Sequence, residues 1–158
     1  MKHATLCMPV SEARRQMLLS VKLRGFGQGK VVGFGGKIEE GETVAETAVR
    51  ELYEEAGLRV APDQLEEVAQ LTFLFPARPD WDHLVHVSLA RGWTGEPFGS
   101  AEITAEWYDL DALPYDRMWD DDRYWLPRVL AGERLQATFI YADDCQTVRE
   151  YWVEQRLA

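Results

Sequence analysis

Cysteines and long apolar runs are scarce in this sequence. The 158 residues include 2 cysteines, Cys7 and Cys145, which lie far apart and have neither a CxxC spacing nor a neighbouring histidine. This usage excludes a disulfide framework and a cysteine-based zinc site, and it is typical of reduced thiols. The first residues do not resemble a secretory signal, and no apolar run approaches the roughly 20 residues that a membrane-spanning helix needs. We therefore expect a cytoplasmic protein.

Positively charged residues are also few. Lys and Arg number 17 against 27 Asp and Glu, which gives a formal net charge of -10. A chain this negative has no electrostatic attraction for a nucleic acid polymer or an anionic membrane surface, and we predict that it binds neither. It can still bind a small phosphate compound if a divalent cation lies between the two. The charge balance therefore favours either metal sites or plain solubility.

The rest of the composition is that of a folded domain. Hydrophobic residues make up 46% and charged residues 28%, both ordinary values for globular proteins. The length predicts one domain over residues 1–158, and the composition leaves a monomer and a homodimer equally open.

Hydrophobic periodicity predicts an α/β fold with a mixed central sheet, because strands and helices are spread through one chain. Extended segments are predicted over Ala4–Val10, Gln16–Leu23, Val31–Ile38, Gln64–Phe75, Asp82–Arg91, Thr104–Leu110, Leu135–Tyr141 and Val148–Val153. Helices are predicted over Thr43–Ala56 and Asp121–Ala131. The first helix begins with a capping box and stops at Gly57.

Three glutamates on the first helix are the main functional candidates. Glu51, Glu54 and Glu55 have the i, i+3, i+4 spacing that places them on one helix face. Carboxylates at such short distances repel one another, and a hard cation such as Mg²⁺ or Mn²⁺ removes this repulsion. The competing interpretation is a solvated acidic face. The glycine-rich segment Gly33–Gly36, just before the helix, favours a site because its backbone can approach another group closely.

The segment from Gly36 to Leu58 resembles the box that characterises the Nudix hydrolase family. It reads Gly36-x5-Glu42-x7-Arg50-Glu51-Leu52-x-Glu54-Glu55-x-Gly57-Leu58 and matches the fixed positions of that box. The resemblance implies an α/β/α sandwich and hydrolysis of a nucleoside diphosphate linked to another group. It also implies that Mg²⁺, or Mn²⁺, is held by the three glutamates and the Gly36 carbonyl. Glu54 or Glu55 would orient or deprotonate the attacking water, and Glu42 and Arg50 would form a structural ion pair.

A second candidate region is rich in aromatic and acidic residues. The segment Met118–Trp125 contains three aromatic residues and three aspartates, and Trp119 is suited to stack on a nucleobase. The alternative is that Trp119, Tyr124 and Trp125 are core aromatics and that the aspartates cap a helix. Two close carboxylates rarely both ionise, so an aspartate pair would offer a base both a donor and acceptors.

The chain is similar, almost from end to end, to the Nudix branch that hydrolyses oxidised purine nucleoside triphosphates. The matching segments are Arg24–Gly27, Gly33–Lys37, Phe73-x-Phe75 and Met118–Trp125. The resemblance implies that Asp121 and Asp122 read the purine edge, that Trp119 stacks on the base, and that Phe26 and Phe73 wall the pocket. Two departures bear on selectivity: Val31-Val32 stands in place of a Trp-Asn pair, and Cys7 stands near the place of a pocket threonine.

Five further residues have weaker patterns. Lys37 is predicted to meet phosphate in preference to Lys22, because it follows two glycines. Glu102 is either an additional metal ligand or base, or an exposed loop residue. His83 and His86 are three apart on a predicted strand, so they should point to opposite faces, and we assign them no metal role.

These patterns predict a Mg²⁺-dependent enzyme that cleaves oxidised purine nucleoside triphosphates, such as 8-oxo-dGTP, to a monophosphate and pyrophosphate. Such an enzyme cleanses the nucleotide pool. The alternatives are a Nudix pyrophosphatase of broader or different specificity, which Val32 favours, and a non-catalytic nucleotide-binding module. The intact set of box glutamates argues against the non-catalytic alternative.

Overall fold

The computed structural model describes residues 1–25, 27–98 and 103–156, without the side chain of residue 103. The strands are β1 (Lys2–Ser11), β2 (Gln16–Lys22), β3 (Val31–Val32), β4 (Leu65–Leu74), β5 (His83–Ala90), β6 (Ile103–Asp109), β7 (Leu135–Tyr141) and β8 (Val148–Gln155). The helices are α1 (Val44–Ala56) and α2 (Asp122–Leu130). Short 3-10 turns are formed by Pro62–Gln64, Pro79–Trp81, Leu110–Ala112 and Tyr115–Arg117.

The strands form one mixed sheet in the order β3-β2-β1-β5-β4-β7-β8, and β6 pairs with β2. β1 runs parallel to β5, and β4 runs parallel to β7. The pairs β4–β5, β7–β8, β2–β3 and β2–β6 are antiparallel. The predicted mixed sheet is therefore confirmed.

Two separate cores show that the sheet is covered on both faces. Successive residues of a strand point to opposite faces, and β1 divides accordingly. Cys7 packs with Leu52 and Ala56 of α1, whereas Met8 belongs to the larger core that contains Trp125 of α2. The predicted α/β/α sandwich is thus confirmed. None of the described helices is long and apolar enough to cross a membrane.

The first helix has the predicted ends. The Thr43 hydroxyl accepts a hydrogen bond from the Glu46 amide at 3.1 Å, and the Glu46 carboxylate accepts one from the Thr43 amide at 3.0 Å. Gly57 ends the helix in the left-handed conformation with φ 74°. Both caps are encoded locally, so they could be read from the sequence.

The segment Val31–Ile38 differs from the predicted continuous strand. Only Val31–Val32 joins the sheet, and the following residues run beside β1 through two isolated bridges, Phe34 to Cys7 and Lys37 to Ala4. A Cβ atom on Gly35 would lie 1.8 Å from the carbonyl oxygen of Thr5. The glycines therefore let this loop lie directly on β1, where it meets the last turns of α1.

Candidate active site

The glutamate-bearing face of α1 meets the glycine loop. The Gly35 amide donates a hydrogen bond to the Glu55 carboxylate at 2.8 Å. Gly36 leaves room for the carboxylate of Glu51, since a Cβ atom at Gly36 would lie 2.5 Å from Oε1 of that residue. The Gly36 carbonyl accepts the Thr5 amide at 2.9 Å and the Thr5 hydroxyl at 3.5 Å. Two of the predicted ligand residues and the predicted carbonyl therefore lie together.

Arg50 connects the loop that precedes α1 to the glutamates. Its guanidinium bonds both oxygens of Glu42, at 2.8 and 3.0 Å, in the bidentate arrangement predicted for a structural pair. The hydrogen bond from Arg50 is the main reason why the pKa of Glu42 falls to about 2. Nη1 of Arg50 also lies 3.0 Å from Glu51 and 3.3 Å from Glu54. The cation thus orients carboxylates on both sides of it.

Burial makes the glutamate cluster electrostatically unfavourable. Burial, and then the charge of Glu51, raises the pKa of Glu55 to about 7. Burial likewise raises the pKa of Glu51, although Arg50 opposes that shift. Within the described ranges, no three His, Cys, Asp or Glu side chains converge as a finished cation site. The donor chemistry nevertheless fits a hard cation, because the carboxylates of Glu51 and Glu55 lie against Gly35 and Gly36, and carboxylate and carbonyl oxygens are the ligands that Mg²⁺ prefers.

A cavity of about 220 Å³ extends from this surface to the start of α2. Glu55 and Gly36 line one part of it, and Asp121 and Asp122 line another. Aromatic side chains form much of the wall: Phe73, Phe75, Trp119, Trp125 and Tyr141. The structure therefore brings Glu55, the aspartate pair, Phe73 and Trp119 to one cavity, whereas Glu51 and the exposed Glu54 do not line it.

The two aspartates differ in protonation. Asp121 is 3% exposed and accepts hydrogen bonds from the Trp125 indole at 2.8 Å and from the Tyr141 hydroxyl. Burial raises the pKa of Asp122 well above its usual value, and the charge of Asp121 raises it further. We assign the charge to Asp121, which has two strong donors, and the proton to Asp122. The pair presents both a donor and acceptors, as the adjacent carboxyl groups led us to expect.

The aromatic residues of the segment Met118–Trp125 have separate roles. Trp119 lines the cavity and packs edge-on against Tyr141, with ring centroids 5.9 Å apart. Trp125 is 1% exposed and belongs to the core as well as to the cavity wall. Tyr124 stacks on Tyr151 instead, with ring centroids 4.3 Å apart. Asp121 occupies the N-cap position of α2, but its side chain forms no capping bond.

Several predicted residues have a different environment from the one expected. Lys37 is exposed and does not line the cavity, whereas Lys22 of β2 does. Cys7 is fully buried against α1 and does not line the cavity, because the alternation of β1 turns its neighbour Leu6 towards the cavity and Cys7 to the other core. The two remaining predicted residues, Phe26 and Glu102, lie outside the described residues.

Sequence reasoning missed several residues of the cavity, among them His83 and Tyr141. His83 is not an ordinary strand residue, since it lines the cavity and stacks on Phe73. His86 points to the other face and stacks on His3, as the strand spacing predicts. The register of β4 against β5 and β7 places His83 and Tyr141 here, and no local pattern encodes that register.

Comparisons with known proteins agree with this geometry. A family model described as NUDIX domain matches residues 1–129. An oxidized purine nucleoside triphosphate hydrolase of Danio rerio is 41% identical over 138 residues, which are 87% of this chain and 85% of the relative. The protein of the same name from Mus musculus is 39% identical over 137 residues, with 87% and 85% covered. A crystal structure of a MutT protein from Bacillus halodurans superimposes with a TM-score of 0.84 and 28% identity, and 98% of each chain is covered.

Proposed function

The chain belongs to the NUDIX family, and we propose that it hydrolyses oxidised purine nucleoside triphosphates, of which 8-oxo-dGTP is the type. The products are the nucleoside monophosphate and pyrophosphate. The relatives from Danio rerio and Mus musculus carry the name of that activity, and each matches 87% of the chain. An enzyme of this kind removes damaged precursors from the nucleotide pool, and we place it in the cytoplasm.

One observation carries the proposal: a single cavity joins the aspartate pair to the glutamate surface. Asp121 and Asp122 are hydrogen-bonding groups for a heterocycle, and aromatic faces favour a planar ring. Glu55 and Gly36 are the groups that a cation-bound diphosphate requires. A nucleotide has a planar base and a charged phosphate chain. The base matches the aspartate part of the cavity, and the phosphate chain matches the glutamate part.

The residues present fit a bound Mg²⁺ ion, or Mn²⁺ in its place. Glu51, Glu54, Glu55 and the Gly36 carbonyl would hold it, since all four offer the oxygen ligands that these ions prefer. When bound, such an ion neutralises phosphoryl oxygens and lowers the pKa of an attached water.

The other side chains of the site have separate roles in the reaction. Glu54 or Glu55 orients the attacking water and takes its proton, and the half-buried Glu55 is the better placed of the two at the cavity wall. Arg50 bonds the carboxylates of Glu42, Glu51 and Glu54, so it positions these carboxylates rather than the substrate. Lys22 lines the cavity next to Glu55 and is the cation available to a phosphate at that end.

Base selection depends on the opposite end of the cavity. The protonated Asp122 donates a hydrogen bond to the base, while Trp119 stacks on the purine ring. The charged Asp121 keeps the proton on Asp122. Val32 lines the cavity with an apolar side chain and makes no hydrogen bond to the base. Selection therefore relies on the remaining polar groups, which is why the range of accepted bases is the main point to test.

The test is product analysis with Mg²⁺ on dGTP, 8-oxo-dGTP, 2-oxo-dATP, dCTP and ADP-ribose. We expect monophosphate and pyrophosphate, formed fastest from an oxidised purine. Glu54→Gln should lose this activity. Glu46→Gln is the matched control on the same helix, because glutamine also completes a capping box.

Two other results would overturn the proposal. Fastest turnover of dCTP or ADP-ribose would indicate a Nudix pyrophosphatase of different specificity. Tight nucleotide binding without Mg²⁺-dependent turnover would indicate a non-catalytic module.

A further inference from the structure

His83 is a polar side chain in an aromatic wall, and the reaction described above does not use it. It is the first residue of β5 and lines the cavity. Its ring stacks on Phe73, with centroids 5.1 Å apart, and lies parallel to Phe75 within 4°. Packing from two rings fixes the plane of the imidazole, so its nitrogen atoms point in defined directions.

One hydrogen bond determines which nitrogen carries the proton. Nδ1 of His83 lies 2.7 Å from the carbonyl oxygen of Trp81. A carbonyl oxygen only accepts, so Nδ1 is the donor, and in the neutral ring Nε2 is left with a lone pair. Among the described residues, nothing bonds Nε2, and Nε2 is not one of the side-chain atoms shut away from solvent. His83 therefore offers an unused acceptor.

An acceptor at this place distinguishes two classes of purine. An unmodified purine has a lone pair at N7, and two lone pairs that face each other repel. Oxidation at C8 places a hydrogen on N7 and turns that position into a donor. The described side chains beside His83 offer a base no other polar group, since Phe73 and Phe75 flank the histidine.

We propose that His83 is a specificity-determining residue whose Nε2 accepts a hydrogen bond from N7–H of a bound 8-oxopurine. The same atom disfavours an unmodified purine. This inference rests on the proposed function, because it requires the base to occupy the cavity.

Two substitutions separate this role from a structural one. His83→Phe keeps an aromatic ring for Phe73 and removes the acceptor, whereas His83→Gln restores an acceptor at similar reach. The measured quantity is the ratio of kcat/KM for 8-oxo-dGTP to that for dGTP. We expect His83→Phe to lower the ratio about tenfold, as the loss of one buried hydrogen bond does. His83→Gln should recover most of it, and kcat for 8-oxo-dGTP should change less than KM.

His86→Phe is the matched control, because it lies on the same strand and points to the other face. It should leave the ratio unchanged. Equal losses for both nucleotides in His83→Phe, with the ratio preserved, would reduce His83 to a packing role and overturn the inference.

Binding of the monophosphates 8-oxo-dGMP and dGMP, followed by quenching of tryptophan fluorescence, is a second readout that needs no turnover. A wild-type protein that prefers 8-oxo-dGMP, with a His83→Phe variant that keeps this preference, would overturn the role of His83 and leave the proposed function intact. A wild-type protein that turns over neither purine triphosphate and binds neither monophosphate would overturn the proposed function itself, and the inference with it. A preference that His83→Phe lowers and His83→Gln recovers would support both.

Discussion

Tyr141 donates a hydrogen bond from its hydroxyl to Oδ1 of Asp121, and this bond joins the end of β7 to the start of α2. The same hydroxyl accepts the Asp121 amide at 3.3 Å. Oδ2 of Asp121 accepts the Trp125 indole at 2.8 Å. With both oxygens occupied by donors, Asp121 holds the charge of the pair, and Asp122 keeps the proton that a base can receive as a hydrogen bond.

Removing the hydroxyl should weaken both the fold and the base site. Tyr141→Phe leaves Oδ1 of a buried carboxylate without its main donor, and a lost hydrogen bond to a charged group costs about 1.5–3 kcal/mol. We expect a lower free energy of unfolding in urea and weaker binding of 8-oxo-dGMP. Tyr108→Phe is the control, because its hydroxyl bonds the exposed Glu106 at 3.1 Å. Equal losses from both substitutions would contradict a special role for Tyr141.

The protonated aspartate makes stability depend on pH in a defined direction. Burial raises the pKa of Asp122 well above its usual value, so the folded protein keeps a proton that the unfolded chain releases above about pH 4. The stability that this group contributes is therefore complete below about pH 4 and is lost as the pH rises towards the raised pKa. Asparagine has no proton to release, and its amide keeps a donor for the base.

Asp122→Asn should accordingly be more stable than the wild type at pH 7–8, and the difference should shrink as the pH falls to 4. A gain of 1 kcal/mol corresponds to a rise of about 2–4 °C in Tm for a domain of this size. Thermal unfolding at several pH values measures it. Asp116→Asn is the control, since that side chain is 98% exposed. A constant difference across the pH range would show that Asp122 is ionised in the folded protein.

The sequence predicted the parts of the fold and site that depend on neighbours along the chain. The caps of α1 and the spacing of Glu51, Glu54 and Glu55 are local, and the structure has them as expected. The positions of Asp121 and Asp122 beside Trp119 are local as well.

Residues that reach the site through strand pairing could not be found in this way. His83, Tyr141 and Leu6 line the cavity because β1, β4, β5 and β7 pair in one register, and a shift of one residue would turn each of them away. Cys7 illustrates the alternation, since it lies between Leu6 and Met8 but belongs to the other core. Asp121 was a candidate helix cap, and a hydroxyl from a distant strand occupies its carboxylate instead.

Arg50 should be irreplaceable by lysine although the charge is kept. The guanidinium of Arg50 bonds both oxygens of Glu42 and also reaches Glu51. The single ammonium group of a lysine cannot make all of these contacts. Groups that orient metal ligands typically contribute about 10–100-fold to metal affinity or activity. We expect a loss of that size in the apparent Mn²⁺ affinity of Arg50→Lys, measured by calorimetry.

The control for Arg50 is a second forked pair, Arg128 with Glu133, at 3.0 and 2.9 Å. It lies at the far end of α2, so Arg128→Lys should not change Mn²⁺ affinity. An Arg50→Lys variant with wild-type Mn²⁺ affinity would show that Arg50 only holds the loop.

Gly36→Ala tests whether the glycine loop sets the position of Glu51. A Cβ atom there would lie 2.5 Å from Oε1 and 2.8 Å from Cδ of Glu51, so the carboxylate must move. Since Glu51 is on the face expected to hold the cation, we expect kcat to fall about 10–100-fold, with a smaller relative effect on stability. Gly92→Ala is the matched control, because its Cβ atom would meet only the flexible end of Gln64, at 2.7 Å. If Gly36→Ala kept full activity while Gly92→Ala was also neutral, Glu51 would be shown to act without a fixed position against the loop.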